Sequence, residues 1–195
     1  MTQAKNSFNS DYNSTVVYNE MDSRNYSTKS AELMEPLAFP RSVEEIYNLG
    51  ISLQYYIGGI YLKLANTSKG EQKKNYSQMA LAQLNVKKTI LQLINENLNE
   101  KLTYFYNNGG PIINPPVSER EAKELSGFFN RIAANYLNQI DAIVTMAAKR
   151  NTDADELKNE IDNIIVHMYG SLSNLYQHDD LKQAFHNMAE LVGQL

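Results

Sequence analysis

The chain has 195 residues, a net charge of −4, 43% hydrophobic residues and neither Cys nor Trp. Such a length holds one domain, or one domain and an arm, and the missing Cys excludes disulfides, thiolate metal sites and a cysteine nucleophile. The mild acidity argues against wrapping a nucleic-acid backbone, which takes a surplus of Lys and Arg to displace counterions.

No stretch approaches the roughly 18 apolar residues of a membrane span. The N-terminus, MTQAKNSFNSDYNS, has one Lys and no apolar run, unlike a secretory signal. The expected location is therefore cytoplasmic, or within an assembled particle.

Residues 1–42 read as an extended or partly disordered arm. Asn, Ser and Tyr dominate it up to Ser30, and Pro36 and Pro40 stop any helix. Its apolar residues Leu33, Met34, Leu37 and Phe39 are candidate anchors on a neighbouring subunit. Residues 43–195 read as a helical bundle.

Ser42-Val43-Glu44-Glu45 matches a capping box, which opens the first helix. Ile46, Leu49, Leu53, Ile57, Ile60 and Leu64 form its stripe. Ile51, Tyr55 and Leu62 lie off that stripe, so other helices should cover much of this one. Gly58-Gly59 costs roughly 1 kcal/mol per Gly relative to Ala, and close approach of another backbone, or a kink, explains it. The second helix is expected over about 71–105. Leu84, Leu91, Leu98 and Phe105 recur every seven residues, beside Leu81, Ile94 and Leu102, with Val86 and Ile90 widening the stripe. Lys73, Lys74, Lys87 and Lys88 lie outside it as a solvated face.

The segment NNGGPIINPPV, 107–117, prohibits a helix and is the one long internal loop. A second capping box, Ser118 to Glu121, opens a third helix reaching about Lys149. Thr152 or Asp153 caps a fourth, whose stripe is Leu157, Ile161, Ile164/Ile165, Met168, Leu172 and Leu175. After a break at 177–180, Asp179 or Asp180 caps a short last helix carrying Leu181, Phe185, Met188, Val192 and Leu195. The fold class is all-α: a four-helix bundle with a short C-terminal fifth helix.

Chemistry is hard to find in this chain. Di-iron bundles use a Glu-x-x-His motif, and no Glu-x-x-His occurs here. His167 reads as a helix-edge or buried, hydrogen-bonded side chain and His178 as a loop residue. His186 and Glu190 share a helix face as a local pair. The carboxylate pairs Glu44/Glu45, Asp155/Glu156 and Asp179/Asp180 sit at helix starts, where the dipole favours anions. No Gly-x-Ser-x-Gly elbow is present. Tyr55, Tyr56, Tyr61, Tyr104 and Tyr106 read as bundle-edge packers whose hydroxyls reach water.

Ile51-Ser52-Leu53-Gln54-Tyr55-Tyr56, followed by Ile60-Tyr61-Leu62-Lys63-Leu64-Ala65, resembles the first helix of ferritin-like proteins. That helix typically reads Ile-Asn-Leu-Glu-Leu-Tyr, then Val-Tyr-Leu. The loop order and the short last helix are also similar. The resemblance implies a bundle and shell assembly, but Gln54 stands where the family has its ligand Glu. The family's Glu-x-x-His would fall near Gln83 and Val86, and nothing acidic aligns at that depth on the third and fourth helices. Ferroxidase chemistry is therefore expected to be absent.

The expectation is a non-enzymatic structural or assembly protein with no catalytic, cofactor-binding or metal residues and no cofactor. Its partners would be further copies of itself or an assembly partner, with no nucleic acid, membrane span or small-molecule substrate. The alternatives are a divergent ferritin-like iron-binding protein and a helical adaptor or chaperone.

Overall fold

The computed structural model describes residues 37–108, 116–150 and 152–194. Their regular structure is all α-helical: α1 (Val43–Thr67), α2 (Gly70–Asn108), α3 (Glu119–Arg150), α4 (Ala154–Ser173) and α5 (Asp179–Gly193). Four long helices and a short fifth are the expected set. Expectations placed on residues 1–36, among them Leu33 and Met34, on 109–115, on the Phe105 side chain and on Leu195 lie outside the described residues.

The caps follow the sequence with two differences. Ser42 Oγ accepts the Glu45 amide proton at 3.3 Å, but Glu45 Oε2 takes the Arg41 amide at 2.6 Å. The return bond of the box therefore lands one residue early. Ser118 Oγ accepts from the Glu121 amide at 3.2 Å, and Asp153 caps α4 through the Asp155 and Glu156 amides. At α5 the capping position is His178, whose side chain makes no cap bond; Asp179 and Asp180 lie one step inside, in the first turn. Their charges still face the positive end of the helix dipole.

Helix α1 is the most enclosed. It packs along α2 and against α5, while α4 packs on both α3 and α5. Of its 25 residues only Glu45, Asn48, Ser52, Lys63, Asn66 and Thr67 are exposed, which matches the expectation of cover on most sides. The close approach of α1 to α5 is at Gly50, where a Cβ would stand 2.4 Å from Met188 Cε. The Gly58-Gly59 pair is buried and half-buried respectively.

Helix α2 departs from its expected orientation. Its buried face is Tyr76, Met79, Ala80, Gln83, Val86 and Ile90. Of the heptad row Leu91 and Leu98 face solvent, with Leu81 and Leu102 beside them, all 38–46% exposed, while Leu84 is half-buried. At 3.6 residues per turn, Val86 and Ile90 lie roughly 200° and 240° round the helix from Leu84. This helix carries apolar residues on two sides, and the bundle uses the side with the shorter repeat.

The last residues before α1 belong to the core. Phe39, 5% exposed, stacks on Tyr176 with ring centres 4.9 Å apart and meets Phe129 edge-on at 5.5 Å. Asn130 on α3 clasps Leu37 by accepting its amide proton and donating to its carbonyl, at 2.6 and 3.0 Å. Tyr176 donates to the Pro40 carbonyl at 3.0 Å. Arg41 donates from Nε to the Val117 carbonyl at 3.1 Å. Leu37 and Phe39, candidate anchors on a neighbouring subunit, dock instead on their own chain.

Candidate functional site

Two arrangements stand out from ordinary core and surface. The first is a polar seam inside the bundle. Gln54 and Tyr61 lie seven residues apart on α1, and Asp162 and Tyr169 seven apart on α4, so each pair shares one helix face. The Gln54 amide lies beside the Tyr169 hydroxyl, and the Asp162 charge acts on Tyr61. The two helices therefore meet in antiparallel register. Gln54 is 2% exposed, and Tyr61 and Tyr169 are fully buried.

The seam is under-satisfied. Neither polar atom of Gln54 has a hydrogen-bond partner of good geometry, nor do the Tyr61 and Tyr169 hydroxyls or Asp162 Oδ1. Buried polar groups are nearly always paired, and each orphan costs about 1–3 kcal/mol. Lys158, one turn before Asp162, donates to Oδ2 at 2.7 Å. Burial pushes the Asp162 carboxyl above its usual range, with Lys158 pulling against that shift. Burial also drives the Tyr61 and Tyr169 phenols upward, so both stay protonated at neutral pH. Tyr56 is likewise pushed up by burial and by its 2.5 Å bond to Asp141 on α3.

Gln83 and Val86, where the ferritin-like resemblance places a second-helix ligand motif, are also buried. The seam together with Gln83 thus offers two amides, two neutral phenols and one carboxylate already tied to Lys158. Hard iron in a bundle is held by several carboxylates and imidazole, and this donor set does not fit it. Asp162 is a buried acid on α4, but it lies seven residues from Tyr169, the α4 residue beside Gln54. Its polar neighbour one turn away makes burial tolerable, and it sits beside Ile161 rather than on the apolar stripe. Among the described residues, no three His, Asp or Glu side chains come together to hold a metal ion.

Other singled-out residues are dispersed. His167, His178, His186 and Glu190 are all exposed. Tyr55 and Tyr56 are half-buried, Tyr104 and Tyr106 exposed, while Tyr61 is a core residue rather than an edge packer. Lys87 is not simply solvated: it donates to the Tyr55 hydroxyl and lies 4.7 Å from that ring. Lys101 near the far end of α2 bonds Glu44 at 2.5 Å. Burial would raise the Glu44 carboxyl, but Lys101 and the amides at the start of α1 outweigh it and hold it low.

The second arrangement is the outward face of α2. Leu81, Leu91, Leu98 and Leu102 stay exposed while the opposite face is committed to the bundle. Among the described residues no helix is long and apolar enough to cross a membrane. Comparisons of the chain with family models, with curated proteins and with solved structures found no match.

The Asp162 shift has a testable sign. A raised folded pKa means that the native state holds this proton more tightly than the unfolded chain does. Its contribution is complete below the unfolded pKa and is lost as pH rises through the folded one. Urea midpoints of Asp162→Asn should therefore fall less than wild type from about pH 4, near the ordinary Asp pKa of ~3.9, to neutrality. Parallel curves would show that the carboxyl titrates normally.

Proposed function

We propose that this protein is a non-enzymatic assembly component that works through its helical surfaces. The observation that carries this reading is the outward face of α2, a row of leucines left in solvent on an otherwise committed helix. Exposed apolar side chains scattered singly need no explanation, whereas Leu81, Leu91, Leu98 and Leu102 recur along one side of a single helix. The seam supports the same reading from the other side: its phenols stay protonated at neutral pH, its amides do not titrate, and its one carboxylate is engaged by Lys158. In this reading residues 1–36 are a second contact with a neighbouring copy. A coat, shell or filament subunit belongs to this class. An iron-storing role, the alternative that the ferritin-like resemblance suggests, is the weaker reading because of the donor set.

Solution mass is the test, measured by light scattering on the full chain and on residues 37–195. The cut stops before Leu37 so that the Phe39 clasp stays intact. The full chain is expected to exceed its 22.2 kDa monomer mass, and removal of 1–36 is expected to lower the assembled mass while leaving the thermal melt in place. A monomer at every concentration for both proteins would sink the assembly reading. Stoichiometric iron in the purified protein would overturn it in favour of metal binding.

A further inference from the structure

We propose that residues 37–41 are a strap that latches α3 to the bundle, and that α3 opens as a unit once the strap lets go of it. Helix α3 is held differently from the others. Among the described residues it packs along α4 and not along α1 or α2. The other four helices are tied to one another without it: α1 to α2 and α5, and α4 to α5 and α2. Helix α3 also buries little. Of its 32 residues six are buried, and Ala122, Ala133 and Ala147 are three of them. Phe129, Leu137 and Ile140 are the large ones. Elements with few buried apolar contacts are those that open locally at least cost.

The strap supplies what this packing lacks. Arg41 holds the start of the helix: its Nε donates to the Val117 carbonyl at 3.1 Å, and its own carbonyl accepts from the Val117 amide at 3.5 Å. Phe39 meets the Phe129 ring, and Asn130 clasps Leu37 through both backbone groups. The other side of the strap rests on the α4–α5 connection, where Tyr176 stacks on Phe39 and bonds the Pro40 carbonyl. Past Asn130 the junction of α1 with α3 is incompletely filled. An apolar gap lies between Leu49 and Leu53 of α1 and Ala133 and Leu137 of α3, and Leu37 lines it too. Beyond that gap the Tyr56 hydroxyl donates to Asp141 at 2.5 Å.

Leu37, Phe39 and Arg41 lie within five residues, so their hold on α3 is made and lost together. Opening bares Phe129 and Leu137, with Met168 and Leu172 of α4 beside the gap. The closed bundle hides this apolar surface. The other four helices keep their mutual contacts, so the opened form is a smaller bundle and not an unfolded chain.

Native-state hydrogen exchange on the full chain tests this, followed amide by amide by NMR over a series of low urea concentrations. The amides of α3 from Phe129 to Ile140 are expected to exchange at least about tenfold faster than those of α1 from Leu53 to Tyr61. Their urea dependence should be weaker, because opening one helix exposes less surface than unfolding. The Leu37 amide, bonded to Asn130 Oδ1, is expected to follow the α3 amides on the same curve. A covalent lock gives the second measurement. Arg41→Cys/Val117→Cys joins two positions whose backbones already share a hydrogen bond, in a chain with no other Cys. Its oxidised form is expected to abolish the difference between α3 and α1, and reduction to restore it. Equal protection of α3 and α1 in the wild type overturns the opening. Exchange of the α3 amides ahead of the Leu37 amide overturns the latch, since the helix would then open beneath a strap still in place. A difference that survives oxidation of the double-Cys protein overturns it as well.

Discussion

Phe39→Ala is expected to lower the free energy of unfolding by about 3–5 kcal/mol, the usual range for emptying a buried Phe site. Phe39 lies before the first helix, in a segment whose composition reads as tail. Yet its ring closes a run of aromatics that passes from Phe129 through Phe39 and Tyr176 to Phe185 and Tyr169. These rings come from α3, the α4–α5 connection, α5 and α4, so Phe39 ties the entry segment to three helices. The Asn130 clasp and the Tyr176 bond to Pro40 fix the backbone on either side of it. An empty site there cannot be filled by a neighbour without breaking those bonds. Set against a typical total of about 5–15 kcal/mol, the loss is a large share of stability. Urea unfolding followed by circular dichroism measures it, and Leu37→Ala, at a half-buried position, should cost less. A loss under about 1 kcal/mol for Phe39→Ala would mean that the segment is undocked in solution.

The same residue shows what a sequence can and cannot disclose. Helix positions and most caps were legible because they rest on local rules: Ser42, Ser118 and Asp153 cap where an oxygen meets orphan amides, and α4 and α5 bury the stripes their spacing draws. Phe39 was not, since a single aromatic between two prolines has no period to read. The facing of α2 was not either. With apolar residues on two sides, the helix is fully specified while its orientation depends on which side fits α1 and α4. Gln54 of the seam, and buried Gln83 on α2, were visible only through the resemblance, as departures from it. Asp162 was hidden because its partner Lys158 lies one turn away, where the pair looks like any surface ion pair. Whether such a pair is inside or outside depends on the neighbouring helices, not on its own spacing.

Gln54→Met is expected to raise the free energy of unfolding by about 1–2 kcal/mol, an unusual sign for a core substitution. Most core changes destabilise by opening a cavity or by overpacking, and Met avoids both because it nearly matches Gln in volume and flexibility. What it removes is an amide whose two polar atoms are buried without partners, and an orphan of this kind costs about 1–3 kcal/mol. The Tyr169 hydroxyl remains unpaired in either protein, so its cost cancels between them. Tyr169→Phe made alone and with Gln54→Met completes a double-mutant cycle. Independent effects mean that the two groups sit side by side without bonding. A loss of more than about 1 kcal/mol for Gln54→Met would reverse the argument. The amide would then have a partner in solution, and the seam would be holding an ordered water or a ligand. The sign of one stability difference therefore decides whether the bundle interior is idle, with function on the surface of α2, or is itself a site.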